Sequence, residues 1–254
     1  MKILKMELKR IYRNYMLQLS IVLIILIAFL GIILNNIYYA SRNDSRFLLL
    51  SLYNSFTQFI YLVLAFVFVS VFCKDFQNGV YAWYKQLGYS FRKVAISKFL
   101  SLFIMVLPIL NIVFFLVQIA SKNKDVSFFI ISIICANLNI FYIITLSFSL
   151  SVIFKKIITS TLMMYGIYVL CNGFNLWLYG IFNPADSNSV AAYYLGKIID
   201  SSQFHYSLSK SNLPDAMLCV CSIAIPIIWS LVWVVVAVCI IKYRKGRCIH
   251  ESKN

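Results

Sequence analysis

The chain has 254 residues, of which 62% are hydrophobic and only 12% charged, yet it carries a formal net charge of +15. A soluble domain of this length has about twice that charged fraction, so a water-soluble globule is excluded. All 31 Lys, Arg, Asp and Glu residues lie outside six long apolar runs, at 17–39, 47–73, 99–120, 126–154, 157–182 and 216–241, so the positive charge is not a nucleic-acid-binding surface.

Residues 1–16 have helical periodicity. Leu4, Leu8, Ile11, Tyr12 and Tyr15 form one stripe, and Lys2, Lys5, Lys9 and Arg13 form the opposite one. This pattern predicts an interfacial amphipathic helix, apolar side toward lipid. Each of the six runs has the ~20 residues needed to cross a hydrocarbon core of about 30 Å, which predicts an all-α polytopic membrane protein with six spans. The first run is too long for a signal peptide and reads as a retained anchor. Span 2 is aromatic (Phe56, Phe59, Tyr61, Phe66, Phe68, Phe72) and leads into a 25-residue segment, 74–98, that mixes aromatic and basic residues. Gly79, Gly88 and Ser90 break that segment, so one or two short helices are expected across the membrane face, split near Gly88.

Spans 3 and 6 contain Pro108 and Pro226, which predict kinks. Spans 4 and 5 are separated only by Lys155 and Lys156, a tight hairpin. Span 5 carries Gly166, Gly173 and Gly180 at seven-residue spacing, on one helical face. Small residues let helices approach closely in lipid, either within the chain or between two copies. The segment 183–215 contains a short apolar piece, 189–200, expected as a helix lying on or dipping into the outer leaflet. The basic residues 243–254 form a tail.

Charge sets the orientation. Segments 1–16, 74–98, 155–156 and 242–254 hold 17 basic and three acidic residues, whereas 40–46, 121–125 and 183–215 hold six and five. Lys and Arg accumulate on the cytoplasmic side, so both termini are expected there, in a multi-pass protein of the plasma membrane. None of the seven cysteines falls in the outer segments, so no external structural disulfide is expected, and no metal site is expected either.

Several chemistries lack their residues. The two histidines, His205 and His250, lie outside the spans, and no Asp or Glu lies within one. Intramembrane proteolysis and proton coupling both ordinarily require such groups. No Gly-x-x-x-x-Gly-Lys-Ser/Thr motif occurs, so any nucleotide-driven work depends on another chain. The spans do carry neutral amides: Gln58, Asn111, Gln118, Asn137, Asn139, Asn172 and Asn175. These serve either interhelical hydrogen bonds or a path for an amphipathic substrate.

The local sequence Lys74-Asp75-Phe76-Gln77-Asn78-Gly79-Val80, followed by Gly88-Tyr89-Ser90-Phe91-Arg92 and Ile96-Ser97-Lys98, resembles the ABC-2 type permeases. The six spans, amphipathic start, long segment after span 2 and broken segment before span 6 share that likeness. These permeases commonly show an acidic residue, a nearby glycine, a turn before an Arg and a Lys entering span 3. They often have Pro before that turn, where Gly88-Tyr89 stands here.

The resemblance implies a non-catalytic membrane subunit. A second permease copy or paralogue, most simply a homodimer, would pair with two cytoplasmic ATPase chains. This chain would bind no cofactor; ATP and Mg would sit on the partner. Asp75, Phe76, Gly79, Trp83, Arg92, Lys93 and Lys98 would belong to the coupling segment, and Lys155 and Lys156 to a second contact. Phe56, Gln58, Phe59 and Phe66, with Asn172 and Asn175, would line the substrate path, and Gly166, Gly173 and Gly180 would pack protomers. Within the family, the short chain and aromatic interior look like bacterial peptide-exporting and lantibiotic-immunity permeases, including the phenol-soluble-modulin exporters of staphylococci. The expected cargo is an amphipathic, antimicrobial or cytolytic peptide, in toxin export or peptide immunity. A lipid-linked glycan or drug exporter is one alternative, and a non-transporting peptide sensor or scaffold is the other.

Overall fold

In hydrocarbon each backbone N–H and C=O must be satisfied within its own segment, so apolar runs fold as unbroken helices. The computed structural model follows that rule and describes residues 2–38, 44–122, 124–177, 181–186, 189–199 and 214–251. Helix α1 spans Lys2–Tyr12 and α2 spans Tyr15–Tyr38. The second span is composite: α3 (Arg46–Ser55), one π turn (Phe56–Ile60) and α4 (Tyr61–Gln77) run on without a break. Then come α5 (Val80–Gln86), α6 (Phe91–Ser121), α7 (Val126–Phe154), α8 (Ile157–Trp177), α9 (Val190–Ile199) and α10 (Asp215–Glu251). Six helices are long and apolar enough to cross a membrane, and no strand occurs among the described residues. The chain is an all-α, multi-pass membrane protein.

Local chemistry sets the turns. Gly79 (φ 66°) and Gly88 (φ 77°) bracket α5 in a left-handed conformation that costs glycine nothing. Lys155 (φ 58°) reverses the chain between α7 and α8, its N–H donating to Ser151 O at 2.9 Å. Asp125 caps α7 by accepting from the Phe128 N–H at 3.0 Å.

Spans 2 and 4 form the centre. In α3 to α4, Tyr53, Tyr61, Phe68 and Phe72 are fully buried, and they meet Tyr142, Ile143 and Leu146 of α7. Phe72 packs edge-on to Phe148, ring centroids 5.2 Å apart. Span 1 lies tightly on span 2 at Gly31, where an added Cβ would stand 3.0 Å from Leu52 Cα. The Ser51 hydroxyl donates to Gly31 O at 2.8 Å across the same contact. In the most apolar window of span 2, 72% of residues are buried, against 17% in spans 5 and 6, so α8 and α10 keep broad faces free for lipid or another chain.

The structure adds detail to several expectations. The third helix begins at Phe91, eight residues before the apolar run of span 3, and α10 continues into the basic tail as far as Glu251. Apolar runs mark where hydrocarbon begins and ends, whereas a helix can continue through the headgroup layer. The buried face of α1 is Ile3, Glu7 and Ile11, while Tyr12 and Tyr15 are exposed and Leu4 and Leu8 half-buried. Helix α1 packs against α6 through its buried face, which leaves the rest of the expected apolar stripe free to face lipid. The short helix α9 falls where a helix on or dipping into the outer leaflet is expected. Val190 through Gly196 are buried against α3, α7 and α10, so α9 is wedged into one end of the bundle. The segment 200–213 lies outside the described residues.

Candidate functional site

Four helices converge at the basic face of the molecule, and their charged side chains form one buried cluster. Asp75 lies in the last turn of α4 and Lys98 two turns inside α6; they are 7% and 0% exposed. The Lys98 ammonium donates to Asp75 Oδ2 and to Val71 O, the latter at 2.7 Å. Arg10 of α1 reaches the same Asp75 oxygen at 2.5 Å and Glu7 Oε2 at 2.8 Å. The Tyr84 hydroxyl of α5 donates to Glu7 Oε1 at 2.6 Å.

Two carboxylates thus face two cations, and the cluster is neutral. A lone charge at this depth would cost several kcal/mol, so the arrangement persists only because every member is paired. Burial opposes the charge on Arg10, but Asp75 and Glu7 outweigh it and hold the guanidinium above its ordinary pKa. Burial and the neighbouring Glu7 carboxylate push the Tyr84 phenol up, so it remains a donor.

Apolar contacts reinforce the pairing. Tyr84, Val94 and Ile3 form a small cluster shared by α5, α6 and α1. Phe76, Tyr81 and Phe91 stack around the Gly79 turn, with centroids 4.5 Å apart for Phe76–Tyr81 and 5.0 Å for Tyr81–Phe91. Helix α5 is therefore not a loose connector: a hydrogen bond from Tyr84 and the ring contacts of Tyr81 and Tyr84 fasten it to α1, α4 and α6, which the ion pairs tie to one another.

The expected coupling residues separate into two sets. Asp75 and Lys98 lie inside the cluster, where no partner surface can reach them, and Phe76 is half-buried. Trp83, Arg92, Lys93, Lys155 and Lys156 are exposed at the same face, beside exposed Leu87 and Phe91. Gly79 serves the turn. Sequence reasoning missed Glu7, Arg10 and Tyr84. One signal was present: Glu7 is the only acidic residue before Asp44, and it sits four residues from both Ile3 and Ile11.

The expected path residues do not form one lining. Phe56 is buried against Phe114, centroids 5.5 Å apart, and Phe59 is half-buried. Gln58 and Phe66 are exposed along one strip of span 2 with Leu62. That strip adjoins α8, where the Tyr165 hydroxyl donates to Leu62 O at 2.7 Å. Asn172 accepts from Asn183 Nδ2 at 2.7 Å; the side chain of Asn175 and the whole of Gly180 lie outside the described residues. Gly166 and Gly173 have nothing within 4 Å of an added Cβ, so they make no close packing contact among the described residues.

No protein-family model and no curated protein matches this sequence.

Proposed function

We propose that the chain is the membrane permease subunit of an ABC-2 type exporter, driven by a separate ATPase and moving amphipathic peptides. The basic face is then cytoplasmic, as its excess of Lys and Arg favours. Two permease copies meet through spans 1, 2 and 5, and two ATPase chains bind beneath. The protein itself catalyses nothing.

One observation carries this reading: α5 presents an exposed Trp83, while Tyr84 on its other side bonds to Glu7 in the ion-pair cluster that joins α1, α4 and α6. A surface helix built in this way transmits a push. An ATPase that seats on Trp83, Leu87, Arg92 and Lys93 would move spans 2 and 3 together, because the cluster leaves no slack between them. Packed interfaces convert such a displacement into a discrete rearrangement. The open strip of Gln58, Leu62 and Phe66 beside the bare face of α8 gives an amphipathic cargo both amide and aromatic contacts.

The test is reconstitution. The purified chain alone should hydrolyse no ATP, and a Walker-A ATPase that copurifies with it should be bound and stimulated by it. Trp83→Asp with Arg92→Glu should release that ATPase while the chain stays folded. Stimulation by helical amphipathic peptides supports the reading; stimulation by dyes or lipid-linked glycans alone refutes peptide export. An unaffected complex in the double variant refutes the assigned seat.

A further inference from the structure

Span 2 is not a uniform rod. Its π turn, Phe56–Ile60, interrupts the regular i to i−4 ladder in the middle of the most buried span. Beside this turn lies a cavity of about 10 Å³ bordered by Tyr53, Phe56, Thr57, Ile60, Ala136 and Asn139. Asn139 of α7 is 3% exposed. Its Nδ2 donates to the Tyr53 hydroxyl at 3.0 Å, but its Oδ1 is buried and has no hydrogen-bond partner among the described residues. The Thr57 hydroxyl cannot serve it, because that proton goes to Asn54 O at 2.9 Å.

A buried amide oxygen without a donor is costly. Cavities lined only by hydrocarbon stay dry, whereas one of roughly 10–15 Å³ that offers two to four polar partners holds one water; this lining is mostly apolar, and its polar side-chain groups are the Asn139 amide and the Tyr53 and Thr57 hydroxyls. Size, an orphaned acceptor and a broken helical ladder coincide here. We infer that one water molecule binds in this cavity, donating to Asn139 Oδ1, and makes the π turn of span 2 a hydrated hinge.

The surroundings place bending at that point. Above the turn, α3 is clamped to α2 through Ser51 and Gly31. Below it, α4 ends in the charge cluster at Asp75. A water can change hydrogen-bond partners as the turn opens or tightens, which a packed methyl group cannot do. The inference stands on this geometry and does not depend on the transport reading.

X-ray hydroxyl-radical footprinting of the full chain in nanodiscs, read by mass spectrometry, tests it. Radicals formed from a bound water oxidise the aromatic rings beside it, even where bulk solvent cannot reach. Tyr53 and Phe56 should be oxidised although they are 0% and 2% exposed, while the equally buried Phe68 and Phe72 should not. Asn139→Leu should suppress labelling of Tyr53 and Phe56 severalfold. Ala136→Val, which narrows the cavity and leaves the amide intact, should do the same and covers the case in which Asn139→Leu misfolds. Tyr53 and Phe56 as unreactive as Phe68 and Phe72, or labelling that persists unchanged in both variants, would overturn the inference.

Discussion

Lys98 shows how a charge survives inside a membrane protein. Its ammonium is fully buried, and a carboxylate and a carbonyl replace its water. Removing one partner of such a pair leaves the other charge buried and costs about 3–5 kcal/mol, whereas removing both costs less. Lys98→Met and Asp75→Asn should therefore each destabilise the chain strongly, and the double variant should lose less than the two single losses added. Equilibrium unfolding in mixed micelles measures this, and strict additivity would mean that the pair is not coupled. Tyr84→Phe removes only the donor to Glu7 and should cost about 1–3 kcal/mol. On the opposite face, Arg46 donates from Nε and Nη2 to Asp44, at 3.0 Å and 2.6 Å to Oδ2, and lies 3.6 Å from Asp125. The hydrogen bonds from Arg46 hold the Asp44 carboxyl below its usual value. Its stabilisation is thus present above the unfolded value and lost as pH falls through the lower folded one, below about pH 4. The site is partly exposed, so the effect should be small, and Arg46→Gln should abolish it in a pH-dependent melting series. These pairings were poorly legible in the sequence. Lys98 stands at the edge of an apolar run, and nothing in one dimension says that it turns inward to Asp75 rather than out to the headgroups.

At the scale of elements, legibility followed solvent. The six spans could be read because hydrocarbon admits only one backbone solution to a long apolar run. The hairpin at Lys155 and Lys156 could be read because two residues leave no other route. Helix ends at the basic face could not, since α6 gains its first eight residues from packing against α1 and α5 and not from hydropathy. The π turn also escaped: the segment Asn54–Ile60 has no Gly or Pro, and the helix it packs against most outside its own span is α2, a contact that no sequence pattern shows. Two glycines separate conformational need from spatial need. Gly79 has open space around it but a φ of 66°, so Gly79→Ala should cost about 1–2 kcal/mol through backbone strain alone. Gly79→Asn, which tolerates that conformation, should be milder. Gly31 is the converse: its helix is regular, but a Cβ meets the Leu52 backbone at 3.0 Å. Gly31→Ala should force α2 away from α3 and cost about 1–3 kcal/mol as an overpacked contact. Thermal melting of both variants checks the contrast; Gly31→Ala as stable as the parent would mean that spans 1 and 2 pack more loosely than the geometry requires.

The whole molecule is lopsided. Span 2 is sealed on nearly every side, while α8 shows lipid or a partner a long face containing Gly166, Val169, Leu170, Gly173 and Phe174. The seven-residue glycine spacing was legible in the sequence, but its purpose was not, because spacing alone cannot say which helix approaches. Among the described residues no helix does so at Gly166 or Gly173, so bulk added there should leave the fold of one copy intact. If two copies of this chain are joined through this face, Gly166→Leu with Gly173→Leu should abolish the homodimer without lowering the unfolding midpoint of the single chain. Loss of the helix-interior glycines should if anything stabilise that chain, by about 1 kcal/mol. A reporter cysteine introduced by Gly173→Cys, in a background with the seven native cysteines replaced by serine or alanine, should cross-link two copies in native membranes. Adding Gly166→Leu to that background should weaken the cross-link. Single-molecule photobleaching provides an independent count, two steps in the parent and one in the double variant. Two steps in both would place the copies against each other along some other face, such as the exposed ridge of α2 at Val22, Leu26, Phe29 and Ile33.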